Sequence, residues 1–224
     1  MLFRSMLTFK PNDNINLYIK YAKAVRNPSL FQATKGFGQQ NQGEKIMTLK
    51  PEEHFDFEVG GNFLLENLGD FDNVLGFKLA FYNNYTKNYL TRSNIIGSSF
   101  QQTTNIESAL FRGLESSLYF DNGEFYSNLG VNQILQTKFC QKDENLQPGE
   151  QKCYKGGIGG SNLSNAVPPK TTLYANVGTR LFKKQLDIGA RYSYTSKRFV
   201  SIWQPADTPI GETNSAEWDS YSIV

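Results

Sequence analysis

The chain has 224 residues, 39% hydrophobic and 14% aromatic, and its 23 basic and 21 acidic side chains leave a formal net charge of +2. The basic residues are scattered rather than clustered, which excludes the electrostatic footprint of a nucleic-acid-binding protein. Apolar runs are only a few residues long, far short of the roughly 18 that a membrane-spanning helix needs, so a helical membrane protein is excluded too.

Alternation of period two, the mark of a strand, begins at once. In "MLFRSMLTFKPND" Leu2, Arg4, Met6 and Thr8 share one parity and Phe3, Ser5, Leu7 and Phe9 the other. No signal-peptide pattern is present there, and the last residues, "AEWDSYSIV", read as a strand cut short. The expectation is an internal piece of a larger protein. Strands are predicted at 2–10, 15–26, 53–66, 73–87, 105–120, 125–139, 171–182, 186–199 and from 217 onward, with no helix. The third is the clearest: in "HFDFEVGGNFLLEN" Phe55, Phe57, Val59, Phe63 and Leu65 alternate with His54, Asp56, Glu58, Asn62 and Glu66. Leu75, Phe77, Leu79 and Phe81 repeat the pattern, as do Leu173, Ala175, Val177 and Leu181, and then Leu186, Ile188, Ala190, Tyr192 and Tyr194.

Between the strands, short and long connections take turns. Tight "PNDN" (Pro11 to Asn14), "LGDFD" (Leu68 to Asp72), "DNGE" (Asp121 to Glu124) and "KKQ" (Lys183 to Gln185) carry the residues that hairpin turns require. The long connections are 27–52, 88–104, 140–170 and 200–216. Compact soluble domains rarely carry loops beyond about 12 to 15 residues, and nothing in a soluble sandwich sends them all to one edge. An outer-membrane barrel does so by construction, with short periplasmic turns and long extracellular loops. The fold class is therefore all-β, a portion of an antiparallel transmembrane β-barrel in the bacterial outer membrane. Its Phe and Leu face meets lipid, and its polar face meets a wet lumen. Phe120, Phe125 and Phe182 flank the tight turns, where an aromatic girdle sits. Arg112 breaks the pattern, sharing parity with Leu110, Leu114 and Leu118. At the midplane it would cost about 2 to 4 kcal/mol, so either it lies near the outer rim or a bulge shifts the register. A soluble all-β protein would instead have to hide every strand edge.

Cys140 and Cys153 lie in one long loop, and an even local pair outside the cytosol reads as a disulfide. Two thiolates without further His or Cys make only half a zinc site, so no metal is assigned. "GGIGG" (Gly156 to Gly160) neither follows a buried strand nor opens a helix, which leaves a flexible loop rather than a phosphate cradle. "NYT" and "NLS" match the glycosylation triplet at chance frequency. His54 is the only histidine. With Asp56 on its face it is the sole seed for His-based catalysis, and nothing completes such a site, so no enzyme and no catalytic residue is assigned. It is a polar wall residue near the extracellular rim or an axial ligand to haem iron.

"LYIKYAKAVRNPSLFQ" followed by "TLKPEEHFDFEVGG" resembles the C-terminal half of TonB-dependent outer-membrane receptors. Arg26, Asn27, Pro28 and Ser29 match the family's Arg-x-Pro-Ser/Ala box. Leu49, Lys50, Pro51 and Glu52 match its Leu-Lys-Pro-Glu box, and Glu58 with Gly60 its Glu-x-Gly strand. Gly113 and Glu115 match a Gly-x-Glu strand, and "PPKTTLYANVGTRL" a later one. The boxes, the cysteine loop and the ending "EWDSYSIV" look most like the receptors for haem, haemoglobin and related iron proteins. The resemblance implies a barrel of roughly 22 strands. It also implies a plug domain filling that barrel and uptake driven by the TonB system. Residues 1–224 are then a partial barrel domain, with the plug and closing strands elsewhere. Haem is implied as a transported ligand, not a resident cofactor. Partners are haem or a host haem or iron protein, TonB through the plug, and outer-membrane lipid and lipopolysaccharide. The family's usual histidine between the two boxes is missing, since Phe31 to Thr48 contains none. Candidate ligand contacts are His54, Arg26, Asn27, Tyr89 and Tyr154, with Met47 the only other haem-ligating type between the boxes. A ferric-siderophore receptor is the alternative within the family, and a passive porin or adhesin the alternative outside it.

Overall fold

A computed structural model describes residues 2–33, 49–67, 73–94, 101–143, 152–157, 167–201 and 215–223. The central parts of the four long connections, Met47, the turn 68–72 and most of the glycine-rich stretch and the "NLS" triplet fall outside those residues.

The main sheet is an antiparallel meander. Its strands in spatial order are β1 (Leu2–Asn12), β2 (Ile15–Arg26), β3 (Glu52–Glu66), β4 (Val74–Lys87), β7 (Ser108–Asp121), β8 (Phe125–Cys140), β10 (Thr171–Leu181), β11 (Leu186–Thr195) and β14 (Tyr221–Ile223). A short β9 (Cys153–Tyr154) adds to β8. Each predicted strand is present, within a few residues of its expected ends except near the last loop. There the expected run 186–199 is two elements: the Ser196 N–H still donates to the Thr171 carbonyl (2.9 Å) as the last rung beside β10, and the pairing to β10 ends at that point. Residues beyond it form β12 (Arg198–Ser201), which pairs with β13 (Ser215–Trp218) in a hairpin of its own. A second hairpin, β5 (Leu90–Asn94) with β6 (Gln101–Asn105), rises from the connection expected to be loop. Beyond β2 a single helical turn, α1 (Leu30–Ala33), leaves the all-β class as expected. Ser29 and Gln32 cap it reciprocally: the Gln32 N–H donates to Ser29 Oγ (3.2 Å) and the Ser29 N–H to Gln32 Oε1 (2.9 Å). That reciprocal box offsets the cost of so short a helix.

Tight turns lie at one end of the sheet and long connections at the other. Asp121 and Asn122 accept backbone N–H groups across the turn to β8, Gly123 to Asp121 Oδ1 (2.7 Å) and Phe125 to Asn122 Oδ1 (2.6 Å). The turn from β10 to β11 places Phe182, Lys183 and Lys184 at φ of 53°, 56° and 69°.

The register sorts side chains into two faces. One face carries Leu17, Ile19, Phe57, Val59, Phe63, Phe77, Leu79, Leu118, Leu129, Val177, Leu181 and Ile188, all exposed. A continuous apolar face this large, uncovered, is suited to hydrocarbon and not to water. The opposite face is polar and internally bonded. Lys20 pairs with Glu58 (2.8 Å), Tyr18 donates to Glu58 (2.6 Å), Tyr82 donates to Asn132 (3.0 Å), and Arg180 holds both oxygens of Asp121 (2.9 and 3.0 Å).

Glycines on that face receive tyrosines. Tyr18 lies directly opposite Gly60 in the register, and a Cβ on Gly60 would come within 2.7 Å of the Tyr18 hydroxyl and 2.8 Å of the Leu79 carbonyl. Tyr82 lies over Gly113 in the same way. The Glu-x-Gly and Gly-x-Glu motifs thus join a notch for a ring to a carboxylate that meets the lysines beside it, Lys20 at Glu58 and Lys78 at Glu115 (3.8 Å).

Candidate functional site at the loop end of the polar face

The register closes β2 against β3 with Arg26 opposite Glu52, so the last strand residue of one motif meets the last residue of the other. Glu52 is 2% exposed. A carboxylate this buried requires compensation on every side. Arg26 Nε lies 2.5 Å from Glu52 Oε2, and the Leu90 N–H donates to Oε1 (2.6 Å). His54 Nε2 lies 3.3 Å from Oε2, while its Nδ1 is hydrogen-bonded to buried Thr86 Oγ1 (3.0 Å). Both nitrogens of the only histidine therefore have protein partners.

Leu90 opens the β5–β6 hairpin, so Glu52 ties that hairpin to the sheet. A second tie works through Asn105, buried to 3% exposure. The Lys50 N–H donates to its Oδ1 (2.7 Å), and its Nδ2 donates to the carbonyls of Lys50 (2.9 Å) and Asn88 (2.7 Å). The stretch Lys50 to Glu52 is thus the joint at which the β5–β6 hairpin is fastened to the loop end of the main sheet.

Beside this joint lies the described core of the loop end: Ile106, Ala109, Phe139, Tyr154 and Val167, with Tyr89 and Phe111 packed against it. Ala109 and Phe139 face each other on the polar-face parity, and the bases of two connections, from β4 to β7 and from β8 to β10, pack with them over the mouth. Cys140 and Cys153 are disulfide-bonded, with Cα atoms 4.1 Å apart, as expected. They sit directly opposite in the β8–β9 register, which sets Tyr154 against Phe139. Lys152 bridges Glu107 (2.7 Å) and Asp143 (2.8 Å), and the two carboxylates, Asp143 first, raise its ammonium above the usual lysine range.

The candidate contacts take distinct places here. Arg26 and His54 engage Glu52, whereas Asn27 is exposed beyond the end of β2. Tyr89 packs against the mouth core, and burial first, then the charge of Glu52, push its phenol up, which keeps it neutral. Tyr154 is 9% exposed in that core. Deeper in the polar face, Lys20, Asp56, Glu58, Tyr82, Glu115 and Asn132 line a recess. Among the described residues no group of His, Cys, Asp and Glu could hold a metal ion. Sequence reasoning did not find Glu52 as a hub or Asn105 at all. Glu52 had one signal, a carboxylate starting a strand opposite an arginine that ends one.

Arg112 lies on the apolar-face parity, four residues from the loop end of β7. Its Nε donates to Asn83 (2.5 Å) and its Nη1 to Gln136 (3.1 Å). A bulge does exist, with Leu135 of β8 skipped between Gly113 and Arg112, but it leaves the β4–β7 register and the outward position of Arg112 intact. Position near the rim therefore explains this arginine.

An antiparallel sheet with one uncovered apolar face, one polar wall and all long loops at one end defines an outer-membrane β-barrel wall. The chain belongs to the TonB dependent receptor-like, beta-barrel family, whose pattern it matches over residues 2–224. That family consists of receptors and transporters rather than enzymes. The chain is 29% identical over 221 residues to the hemophilin receptor of Acinetobacter baumannii, covering 91% of this chain and 19% of that protein. In structure it resembles the Serratia marcescens hemophore receptor HasR in complex with its hemophore HasA and heme (TM-score 0.60, 20% identity, 87% of this chain and 34% of that one). It also resembles the siderophore receptor PirA from A. baumannii (TM-score 0.64, 17% identity, 99% and 33%). The chain spans about a fifth of the length of the curated relatives it matches.

Proposed function

We propose that the protein to which this barrel portion belongs acquires iron by taking up haem, either free or from a haem-carrying protein. The observation that carries this reading is the 29% identity to a hemophilin receptor, which runs through 91% of the chain and so includes the loop end. Haem is cargo here, held in passing and released inward. The TonB system, acting through a plug elsewhere in the protein, supplies the work. The strands cross the outer membrane many times, with lipid and lipopolysaccharide as their surroundings.

Binding, not bond-making, is what this segment contributes. The mouth residues Arg26, Asn27, His54, Tyr89 and Tyr154 form the base of the capture surface. Asn27, exposed, contacts cargo directly. Arg26, Tyr89 and Tyr154 position the loops above it. His54 reaches an iron only by giving up Glu52 or Thr86. Haem titration of the full-length receptor, followed at the Soret band, tests both parts. A ligand role predicts that His54→Ala loses the band shift and weakens binding by about tenfold or more. An unchanged band leaves His54 as part of the joint. A receptor that binds no haem and restores growth only on a ferric siderophore overturns the haem reading and leaves the family intact.

A further inference from the structure

Three donors share the buried carboxylate of Glu52, and one of them has donors to spare. The Leu90 N–H is backbone on a residue 6% exposed, and it goes to Oε1. His54 has both ring nitrogens engaged, one by Glu52 and the other by buried Thr86. Arg26 differs. It meets Glu52 through Nε, its side chain is 49% exposed, and among the described residues its two Nη groups have no partner. A guanidinium carries five N–H donors in a rigid fork, so four remain at the end of β2. They lie beside exposed Asn27 and close enough to Tyr89 for the charge to reach its phenol. Two parallel Nη–H groups match a carboxylate, which they bind bidentately.

An anion at that position acts on Glu52. This carboxylate is 2% exposed and keeps its charge in the interior only through its donors. A second negative charge on the same guanidinium draws Arg26 toward the mouth and repels Glu52 at short range, where little water screens the pair. The bond to the Leu90 N–H fastens the base of the β5–β6 hairpin, and it holds only while Glu52 stays in place. The other tie is independent, because Asn105 bonds to the backbone of Lys50 and Asn88 and uses neither Arg26 nor Glu52. The hairpin therefore has one tie that an anion can loosen and one that it cannot, which is the arrangement of a hinge.

We propose that Arg26 takes a propionate carboxylate of haem through its Nη groups, and that this occupancy slackens the Glu52 tie so that the β5–β6 hairpin pivots about Asn105. The contact rests on the haem reading above and adds a response to it: cargo at the end of β2 is registered in the connection between β4 and β7. By linkage the effect is reciprocal, so removing the Glu52 charge tightens the hold on the propionate.

The test uses full-length receptor titrated with haem and with haem dimethyl ester, in which both propionates are neutral, with amide exchange followed at Leu90 and Lys50. Wild type is expected to bind haem at least about tenfold more tightly than the ester. Haem, and not the ester, is expected to speed exchange at Leu90 while leaving Lys50, whose N–H goes to Asn105, unchanged. Arg26→Gln is expected to abolish the preference for haem and Glu52→Gln to enlarge it. Lys23→Gln, on the opposite face of β2 and paired with Glu53, is expected to leave it as it is. Equal wild-type affinity for haem and its ester overturns the proposal, as does Leu90 exchange that haem does not alter, and neither comparison needs a variant to fold. A preference for haem that persists in folded Arg26→Gln overturns it too. In each of these cases haem still binds and the uptake reading stands, whereas a receptor that binds neither form overturns both.

Discussion

Glu52 shows how one residue can serve two elements. Its two oxygens are shared among Arg26, His54 and the Leu90 N–H, and the last of these is a backbone donor on a residue only 6% exposed. Glu52→Ala leaves that N–H unsatisfied, a loss of about 1 to 3 kcal/mol, and should expose the β5–β6 hairpin to hydrogen exchange at Leu90 without opening β3 and β4 below it. Glu52→Gln keeps an acceptor for Leu90 and should fall between. Equal exchange at Leu90 in all three proteins would remove the joint. Gly60 is a second residue whose role is steric: the Leu79 carbonyl 2.8 Å from a hypothetical Cβ is backbone and cannot yield. Gly60→Ala should therefore destabilise by about 1 to 3 kcal/mol, seen as a lower urea midpoint, whereas Tyr18→Phe keeps the ring in its notch and loses only the bond to Glu58. The sequence exposes the motif letters at these positions. It does not expose their partners, because Arg26 with Glu52 and Asn105 with Lys50 are long-range pairs that no periodicity encodes.

At the scale of the strand, alternation carries most of the information. A sheet with one apolar face prints that face on every second residue, so β2, β3, β4, β7 and β8 are legible almost to their ends. The hairpin of β5 and β6 is not, since "LTRSN" and "QQTTN" have no apolar alternation and owe their pairing to the joint at Glu52 and Asn105. The break after Thr195 is hidden for a different reason, because "TSKRF" carries no Gly, Pro, Asn or Asp to mark a turn where the pairing passes from β10 to β13. The face assignment predicts that Phe57→Arg or Leu79→Arg in the full-length receptor costs about 2 to 4 kcal/mol in refolding into lipid. Lys78→Gln should cost under about 1 kcal/mol, since the Lys78 and Glu115 side chains are 40% and 50% exposed. Equal tolerance on both faces would refute the orientation. The disulfide acts at the same scale. Free-thiol labelling of unreduced receptor should find neither cysteine, and reduction should release Tyr154 from the mouth core, a loss of about 3 kcal/mol for a loop of this length in the chain-entropy picture.

For the whole molecule, the decisive quantity is the edge. In the spatial order from β1 to β14, the two outer strands have partners on one side only. Every described residue of β1 is exposed, including Leu2, Phe3, Leu7 and Phe9. In water such edges recruit other strands, and in lipid their N–H and C=O groups have no solvent to satisfy them, at several kcal/mol for each unpaired group. An outer-membrane sheet escapes that cost only by closing on itself, so strands that complete the barrel beside this segment would contribute more than their own area. They convert an open wall into a stable solution. This 224-residue chain, expressed by itself with a signal peptide, should therefore fail to give the compact, heat-modifiable band of a closed barrel in unboiled electrophoresis. Joining it to the remaining strands should restore the band. A heat-modifiable band from the isolated chain would mean that β1 and β14 can pair with each other, and it would make this segment a barrel in its own right.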